Sequence, residues 1–360
     1  PDSSWKRADG FSGHDWAFCM LLNFGGNVGM YGKLQHVIDE YYKARDSRFA
    51  TTLRGVGLTM EGIDNNPVMY ELVTELPWRQ HRFDWQEWLR GYVTARYGAA
   101  ANAKVQEAWL LLARSVYGAS AKVAEQGCHE SVLCARPALD VYQVSSWSMM
   151  EEYYNPDDVI RAARLMVEAS HEMPANANFR YDLVDVTRQA IAEQARLVYD
   201  EVVAAYRAKD RRMFAHASQR FLDILLQQDR LLSSMPGFMV GSLIGQARAL
   251  GTTADECDRY EWNARVQITT WGNREAAERG RLREYAHKEW SGVLRDFYYP
   301  RWKAYFETLA ATFDGRPMQP IDFYAMDEKW TLQHNAYPCT AQGDAVEFAR
   351  EAFRKVFDTD

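Results

Sequence analysis

The stretch LRGVGLTMEGIDNNPVMY, residues 53–70, constrains the fold of this chain more than any other part of the sequence. Its first half is a short apolar run that contains two glycines and ends at Glu61. Turn-forming residues follow, and apolar side chains then recur at helical spacing from Val68 to Leu76. A continuous apolar strand followed by a helix is the repeating unit of a parallel α/β sheet. In (β/α)8 barrels the C-terminal ends of such strands carry the active site, so Glu61 is a candidate functional carboxylate.

A second strand and helix precede this stretch. Residues 16–22, WAFCMLL, are a continuous apolar run that ends in Asn23, Phe24 and two glycines, and residues 34–42 have helical spacing. This pattern predicts a second buried parallel strand that enters a glycine loop. A closed barrel requires eight strand–helix units. We therefore expect the chain to contain only the closing part of a barrel, with the earlier strands upstream of Pro1.

Beyond Pro77 the pattern becomes helical, which predicts a second, all-α part of the chain. The predicted fold class is α/β followed by all-α: the C-terminal part of a (β/α)8 barrel at residues 1–80 and a helical domain at residues 81–360. The segment 118–140 mixes Gly, Cys and Pro and is expected to form a loop. Helical spacing of apolar residues predicts helices at residues 84–98, 105–116, 181–206, 211–232, 253–270, 275–296, 300–313 and 344–357, and one that begins at Pro156.

The composition narrows the class of partner. The 49 acidic and 42 basic residues give a formal net charge of -7 without any Lys/Arg run, so nucleic acid is not an expected partner. No apolar run approaches the roughly 18 residues that a membrane helix requires. The 12 Trp and 20 Tyr residues offer ring faces and hydroxyl groups that suit sugars, although most are expected in the core.

Motifs for metal chemistry are incomplete. The dipeptides His129-Glu130 and His171-Glu172 begin like the zinc signature H-E-x-x-H, but neither is followed by the second histidine. A zincin is therefore excluded, and neither a metal nor a cofactor is predicted.

Five blocks of the sequence together resemble a known family, the α-N-acetylglucosaminidases of glycoside hydrolase family 89. They follow one another in the family's order and extend along essentially the whole chain. The resemblance implies a retaining exo-glycosidase that removes terminal non-reducing α-linked N-acetylglucosamine from heparan-type or mucin-type glycans, without a cofactor. The blocks are CMLLNFGGNVGMYG at 19–32, GVGLTMEGIDNNPVMYEL at 55–72, FRYDLVDVTRQ at 179–189, TTWG at 269–272 and YYPRW at 298–302.

The resemblance also implies roles for individual residues. It makes Glu61 the catalytic nucleophile, and it places the acid/base glutamate in an Asn-Glu pair on an earlier barrel strand. This chain contains no Asn-Glu dipeptide, so we expect the isolated chain to be inactive. By the same resemblance, the substrate-binding residues are Leu21, Asn23, Phe24, Trp271, Leu282, Tyr285 and His129.

Each role has a structural alternative. Glu61 could cap the following helix or pair with an arginine, Trp271 and Leu282 could be core residues, and the loop around His129 and Glu130 could be solvated. For the whole chain, the alternatives are a non-catalytic helical binding or scaffold module and a glycosidase of different specificity. Oligomer formation is left open by the sequence.

The cellular compartment is also left open, because the N-terminal residues carry no readable targeting signal. The chain lacks an N-x-[ST] glycosylation sequence. This favours a secreted or periplasmic bacterial protein over a lysosomal one.

Overall fold

The structure is a computed structural model that describes residues 3–62, 65–98, 101–120, 130–145, 152–173 and 175–358. By internal contacts the chain divides into two compact units. The first comprises Pro1–His129 and Glu152–Ala169, and the second comprises Glu130–Glu151 and Ser170–Asp360. The chain therefore enters the second unit twice.

The first unit is built around two parallel strands. Strand β1 (Trp16–Leu22) pairs with strand β2 (Leu53–Met60), and Leu22 lies opposite Met60. Helix α2 (Leu34–Arg45) connects the two strands, as parallel pairing requires a crossover. The order strand, helix, strand, helix that the sequence predicted is confirmed.

Only one face of β1 is buried, so the prediction of a fully buried strand is wrong. Trp16, Met20 and Leu22 are buried, whereas Ala17 and Cys19 on the opposite face are exposed. Side chains alternate between the two faces of a strand, and in the described residues packing partners cover one face only.

Six helices accompany the sheet in the described part of the first unit. Helix α5 (Ala103–Arg114) packs along α6 (Pro156–Ala169), and Trp109, Leu112 and Met166 of these helices are buried. Helix α4 begins at Asp84, whose carboxylate accepts from the backbone N–H groups of Gln86 and Glu87. In addition to α2, the helices are α1 (Ser4–Arg7), α3 (Pro67–Glu75), α4 (Trp85–Tyr97), α5 (Ala103–Arg114) and α6 (Pro156–Ala169).

The second unit is largely helical in its described residues. Helices α7 and α8 pack along each other, and α13 packs on both. The ring of Trp302 lies 4.7 Å from that of Phe221 and 5.4 Å from that of Phe306, which forms an aromatic centre of this core. The helices are α7 (Ala177–Arg207), α8 (Arg211–Leu232), α9 (Val240–Ala249), α10 (Ala254–Gln267), α11 (Tyr299–Thr312), α12 (Phe323–Thr331) and α13 (Ala345–Phe357).

The predicted helix at residues 275–296 is wrong. The backbone forms π-helical turns at Glu275–Arg279 and Leu294–Tyr298, with an irregular segment between them. Arg281 and Glu284 both have φ of 58°, a value that a right-handed helix cannot contain. Helices α9 and α12 were not predicted from the sequence.

Among the described residues, no helix combines the length and the apolar character needed to cross a membrane.

Candidate active site

The parallel pairing brings two functional candidates to one edge of the sheet. Asn23 follows β1 directly, and Glu61 follows β2 directly. Because Leu22 lies opposite Met60, the loops that begin at Asn23 and Glu61 start side by side. This is the arrangement that the sequence predicted for the C-terminal ends of parallel strands.

The Glu61 carboxylate is bound by a backbone donor while its side chain is exposed. The N–H of Gly25 donates to Oε2 of Glu61 at 2.7 Å. Gly25 has φ of 64°, a left-handed conformation that favours glycine and turns its N–H toward the neighbouring loop. The N-cap position of α3 belongs to Asn66, so the alternative in which Glu61 caps this helix is wrong.

The three residues that were predicted to support the site near Glu61 differ in accessibility. Leu21 and Phe24 are half-buried. Asn23 is only 1% exposed, and its side-chain amide donates to the carbonyl oxygen of Asn27 at 2.5 Å. Asn23 therefore holds the backbone of its own loop, whereas Leu21 and Phe24 retain accessible surface.

A cavity of about 430 Å³ runs along β1, between the strand and α2. Leu21, Tyr31 and Glu40 are among its lining residues. In the described part of the chain, Phe24 and Glu61 do not line this cavity. The candidate nucleophile thus lies at the strand ends and not inside the cavity.

In the second unit the structure brings Trp271 and Tyr285 together. Their ring centroids are 5.1 Å apart, and the ring planes make an angle of 65°. Both residues are half-buried, as is Leu282, whose carbonyl oxygen accepts from the N–H of Tyr285 at 3.2 Å. Trp271 therefore retains accessible surface, and its role in sugar binding stays a prediction.

Glu284 anchors the segment that carries Leu282 and Tyr285. Its backbone N–H donates to the carbonyl oxygen of Thr269 at 2.7 Å. Its buried carboxylate lies 2.5 Å from Nη1 of Arg301 and 2.7 Å from Nη1 of Arg283. Burial opposes ionisation of Glu284, but the two guanidinium groups outweigh burial and hold the pKa of this carboxyl below its usual value.

His129 lies outside the described residues, and its neighbour Glu130 is buried. The Glu130 carboxylate accepts from the backbone N–H of Val144 at 2.5 Å and from the N–H of Ser145 at 3.1 Å. Oγ of Ser145 is a third donor, at 3.0 Å. The predicted solvated loop is wrong for Glu130, because the carboxylate organises a buried turn.

One group of potential metal ligands occurs in the described residues. Carboxylate oxygens of Asp258 and Glu261 and a ring nitrogen of His334 lie within 4.8 Å of one another. Arg248 donates to Asp258 at 2.9 Å and to Glu261 at 2.6 Å. A guanidinium group thus already compensates these carboxylates, and the group forms an ion-pair network.

Comparisons with known proteins identify the family. A model of the alpha-N-acetylglucosaminidase C-terminal domain matches residues 88–355, and a model of the tim-barrel domain of the same enzyme matches residues 1–80. The chain belongs to the alpha-N-acetylglucosaminidase family. The predicted fold class is confirmed, since the end of a barrel with two parallel strands is followed by a largely helical domain.

Individual relatives agree with this assignment. Human alpha-N-acetylglucosaminidase is 34% identical, and the match covers 98% of this chain and 46% of the human protein. A family 89 glycoside hydrolase from Clostridium perfringens, solved in complex with PUGNAc, is 30% identical with a TM-score of 0.92. That match covers 99% of this chain and 40% of the bacterial chain. The chain therefore spans less than half the length of these relatives.

A second structure of the bacterial enzyme is that of a variant with two Glu-to-Gln substitutions, in complex with GlcNAc-alpha-1,4-galactose, which is described as its substrate. It is 29% identical to this chain with a TM-score of 0.92, and the match covers 98% of this chain and 40% of the bacterial chain.

For this alpha-N-acetylglucosaminidase family member, the sequence analysis missed two groups that determine the local geometry. The N–H of Gly25 binds Glu61. The two consecutive glycines after β1 were the feature of the sequence that could have indicated this contact. The Glu284 anchor had no comparable signal, because Glu284 lies in an irregular segment and its partner Arg301 lies on α11.

Proposed function

We propose that this chain carries the nucleophile of a retaining exo-glycosidase that hydrolyses terminal non-reducing α-linked N-acetylglucosamine. The observation that supports this most directly is the exposed Glu61 carboxylate at the end of β2, oriented by the Gly25 N–H at 2.7 Å. The bacterial relative bound to GlcNAc-alpha-1,4-galactose supports the same class of substrate. Heparan-type or mucin-type glycans are the proposed source of this sugar.

Retention requires two carboxyl groups about 5 to 5.5 Å apart. In the first step, Glu61 attacks the anomeric carbon and forms a covalent glycosyl ester, while a second carboxyl group protonates the departing glycosidic oxygen. In the second step, the second carboxyl group, now deprotonated, takes a proton from water, the water oxygen attacks the same carbon, and the ester bond to Glu61 breaks to release the Glu61 carboxylate. The Gly25 N–H restricts rotation of the Glu61 carboxylate. Glu61 therefore loses less rotational freedom when it reaches the transition state.

We further propose that these 360 residues do not supply the second carboxyl group. The Asn-Glu pair expected from the family is absent from the sequence, and the chain covers 46% of its human relative. Little or no turnover is therefore expected of the isolated chain. Turnover close to that of the complete gene product would contradict this proposal.

The substrate-binding roles stay predictions. They apply to Leu21, Asn23 and Phe24 near Glu61, and to Trp271, Leu282, Tyr285 and His129. For Asn23 the predicted role is indirect, because its amide donates to a backbone carbonyl group. The division of the chain into a barrel part at residues 1–80 and a helical domain at residues 81–360 also stays a prediction.

The decisive experiment replaces Glu61 with Gln in the complete gene product that contains this chain. With an aryl α-N-acetylglucosaminide as substrate, Glu61→Gln should lower kcat by about 10³-fold or more. Glu71→Gln changes an exposed glutamate on α3 and serves as the matched control, with kcat expected within about twofold of the wild type. Retention of wild-type kcat by Glu61→Gln would overturn the assignment of the nucleophile.

The rival function, a non-catalytic scaffold, predicts no sugar binding. N-acetylglucosamine should protect tryptophan fluorescence from a soluble quencher if the chain contributes to a sugar pocket. The same measurement on Trp271→Phe separates the signal of Trp271 from those of the other tryptophans. The scaffold is favoured if the sugar changes neither signal.

A further inference from the structure

Three buried asparagines bind the loop that follows the glycine turn. The side-chain amides of Asn23 and Asn65 both donate to the carbonyl oxygen of Asn27, at 2.5 and 3.0 Å. The amides of Asn23 and Asn66 both donate to the carbonyl oxygen of Gly29, at 3.3 and 3.2 Å. We call Asn23, Asn65 and Asn66 the asparagine clamp.

Asn66 makes the more unusual contacts of the clamp. It occupies the N-cap position of α3, yet its side chain makes no capping bond to its own helix. Instead, Oδ1 accepts from the backbone N–H of Tyr31 at 3.0 Å, while Nδ2 donates to Gly29. Both ends of its amide therefore bind the segment between Gly29 and Tyr31.

The backbone of Asn66 also fits this role. Its φ is 46°, a left-handed conformation that asparagine tolerates better than most residues. At 1% exposure its amide has little access to water, so the bonds to Gly29 and Tyr31 satisfy groups that would be costly to leave unpaired. Asn102, at the N-cap of α5, instead accepts from its own helix at Val105 N–H, at 3.1 Å.

The clamp connects the two loops that meet at Glu61. Asn23 begins the turn that contains Gly25, and the carbonyl group of Asn27 ends it. Asn65 and Asn66 follow Glu61 in the chain: Asn65 binds the end of the same turn at Asn27, and Asn66 binds Gly29, two residues beyond it. The N–H of Gly25 is thus held against Glu61 by contacts on both loops.

We propose that Asn66 is a positioning residue for Glu61. By holding the segment 29–31 to the start of α3, it keeps the Gly25 N–H in place and thereby keeps the Glu61 carboxylate in its reactive orientation. This inference rests on the proposed role of Glu61 as nucleophile. It concerns the rate of attack and not the affinity for the sugar.

Two substitutions separate the contributions of Asn66. Asn66→Gly retains the left-handed backbone conformation but removes both side-chain hydrogen bonds. Asn66→Asp retains an acceptor for Tyr31 N–H but places an oxygen opposite the carbonyl oxygen of Gly29. Asn102→Gly and Asn102→Asp are matched controls, because they change a helix N-cap asparagine of the same unit whose side chain caps its own helix at Val105.

The measurements use the complete gene product. For Asn66→Gly we expect kcat for an aryl α-N-acetylglucosaminide to fall by about 10–100-fold with KM nearly unchanged, the size of effect that a small misplacement of reacting groups produces. Asn66→Asp should lower kcat at least as much. The rate of covalent trapping of Glu61 by an activated fluorinated N-acetylglucosaminide should fall in parallel. Asn102→Gly and Asn102→Asp should both have the kcat and the trapping rate of the wild type.

Four outcomes separate this inference from the proposed function. If Glu61→Gln abolishes turnover while both Asn66 variants keep wild-type kcat, the positioning role is wrong and the nucleophile stands. A rise in KM at unchanged kcat would also overturn it. If Glu61→Gln remains active, the proposed function itself fails. If Asn66→Asp does not fold, Asn66→Gly and the milder Asn65→Ser decide, and wild-type kcat in both would overturn the inference.

Discussion

The Cα atom of Gly26 lies 2.7 Å from the point that a Cβ atom on Gly62 would occupy. The carbonyl oxygen of Gly26 is 3.3 Å from the same point. Gly26 follows the residue that donates to Glu61, and Gly62 follows Glu61 itself. The backbones of the two strand-end loops therefore approach so closely beside the proposed nucleophile that position 62 has no room for a side chain.

Gly62→Ala should destabilise the first unit. The atoms that a new methyl group would meet are backbone atoms, which cannot rotate away as a side chain would. We expect a loss of about 1–3 kcal/mol in the free energy of unfolding, the usual cost of overpacking. Gly55→Ala in β2 is the control, since nothing lies within 4 Å of its added Cβ. Urea denaturation of both variants measures the difference, and equal midpoints would contradict the prediction.

Arg188 should be essential for the stability of the second unit. Its buried guanidinium donates to Asp185 at 2.8 Å and to Glu289 at 2.7 Å, and all three side chains are less than a tenth exposed. Arg188→Met would leave two buried carboxylates without their cation. We expect a loss of about 3–5 kcal/mol, as measured by denaturant unfolding.

Arg207→Met on the same helix is the control for Arg188. Its partner is Asp140, and both side chains of this pair are more than half exposed. Exposed ion pairs contribute about 0–1 kcal/mol. A similar loss of unfolding free energy in Arg188→Met and Arg207→Met would show that burial does not determine how much the Arg188 ion pairs contribute to stability.

The strands and most helices could be predicted because the spacing of their apolar residues is a local signal in the sequence. The apolar run at residues 16–22 became β1 with the predicted bounds, and the helix predicted at residues 211–232 became α8. Residues 275–296 failed because helical spacing of apolar residues was the only signal considered. In this segment Glu289 binds Arg188, which is 101 positions away, and Glu284 binds Arg301 on α11. The local spacing of apolar residues predicts neither contact.

In the candidate site, too, the sequence pattern predicted the positions of strand ends but not the contacts between distant residues. The strand pattern predicted that Asn23 and Glu61 lie at one edge of a parallel sheet, and the register of the strands places them there. It did not predict that Asn65 and Asn66 bind the carbonyl groups of Asn27 and Gly29. Their composition indicated only a turn, because asparagine is common in turns whether or not its side chain has a distant partner.

Asp327 should give the second unit a stability that depends on pH between about 4 and 6. Burial, helped by the nearby Glu284 carboxylate, raises the pKa of Asp327 to about 6 from its usual 3.8, although Arg301 and Arg136 oppose the rise. In this window the native state holds a proton that the unfolded chain has lost. The stability that this group contributes therefore falls as pH rises through the window.

Asp327→Asn removes this titration. The unfolding free energy of the variant minus that of the wild type should rise by up to about 3 kcal/mol between pH 4 and pH 7. Urea denaturation at several pH values measures it. Asp322→Asn is the control, and its difference from the wild type should stay nearly constant over this range, because the hydrogen bond from Arg274 lowers the pKa of exposed Asp322 and moves its effect on stability below about pH 4. A difference for Asp327→Asn that is independent of pH would contradict the prediction.

Trp271 is expected to contribute to sugar affinity. It is half-buried, its φ is 58°, and its ring lies against Tyr285 with accessible surface remaining. Truncation of an aromatic binding residue costs about 1–2 kcal/mol or more. In the complete gene product, Trp271→Ala should therefore raise KM for an aryl α-N-acetylglucosaminide by about 5–30-fold.

Tyr285→Phe keeps the ring contact and should raise KM less. Trp262→Ala alters a tryptophan on α10 that is 44% exposed, and KM should not change in this control. An unchanged KM in Trp271→Ala would remove this residue from the predicted sugar-binding set.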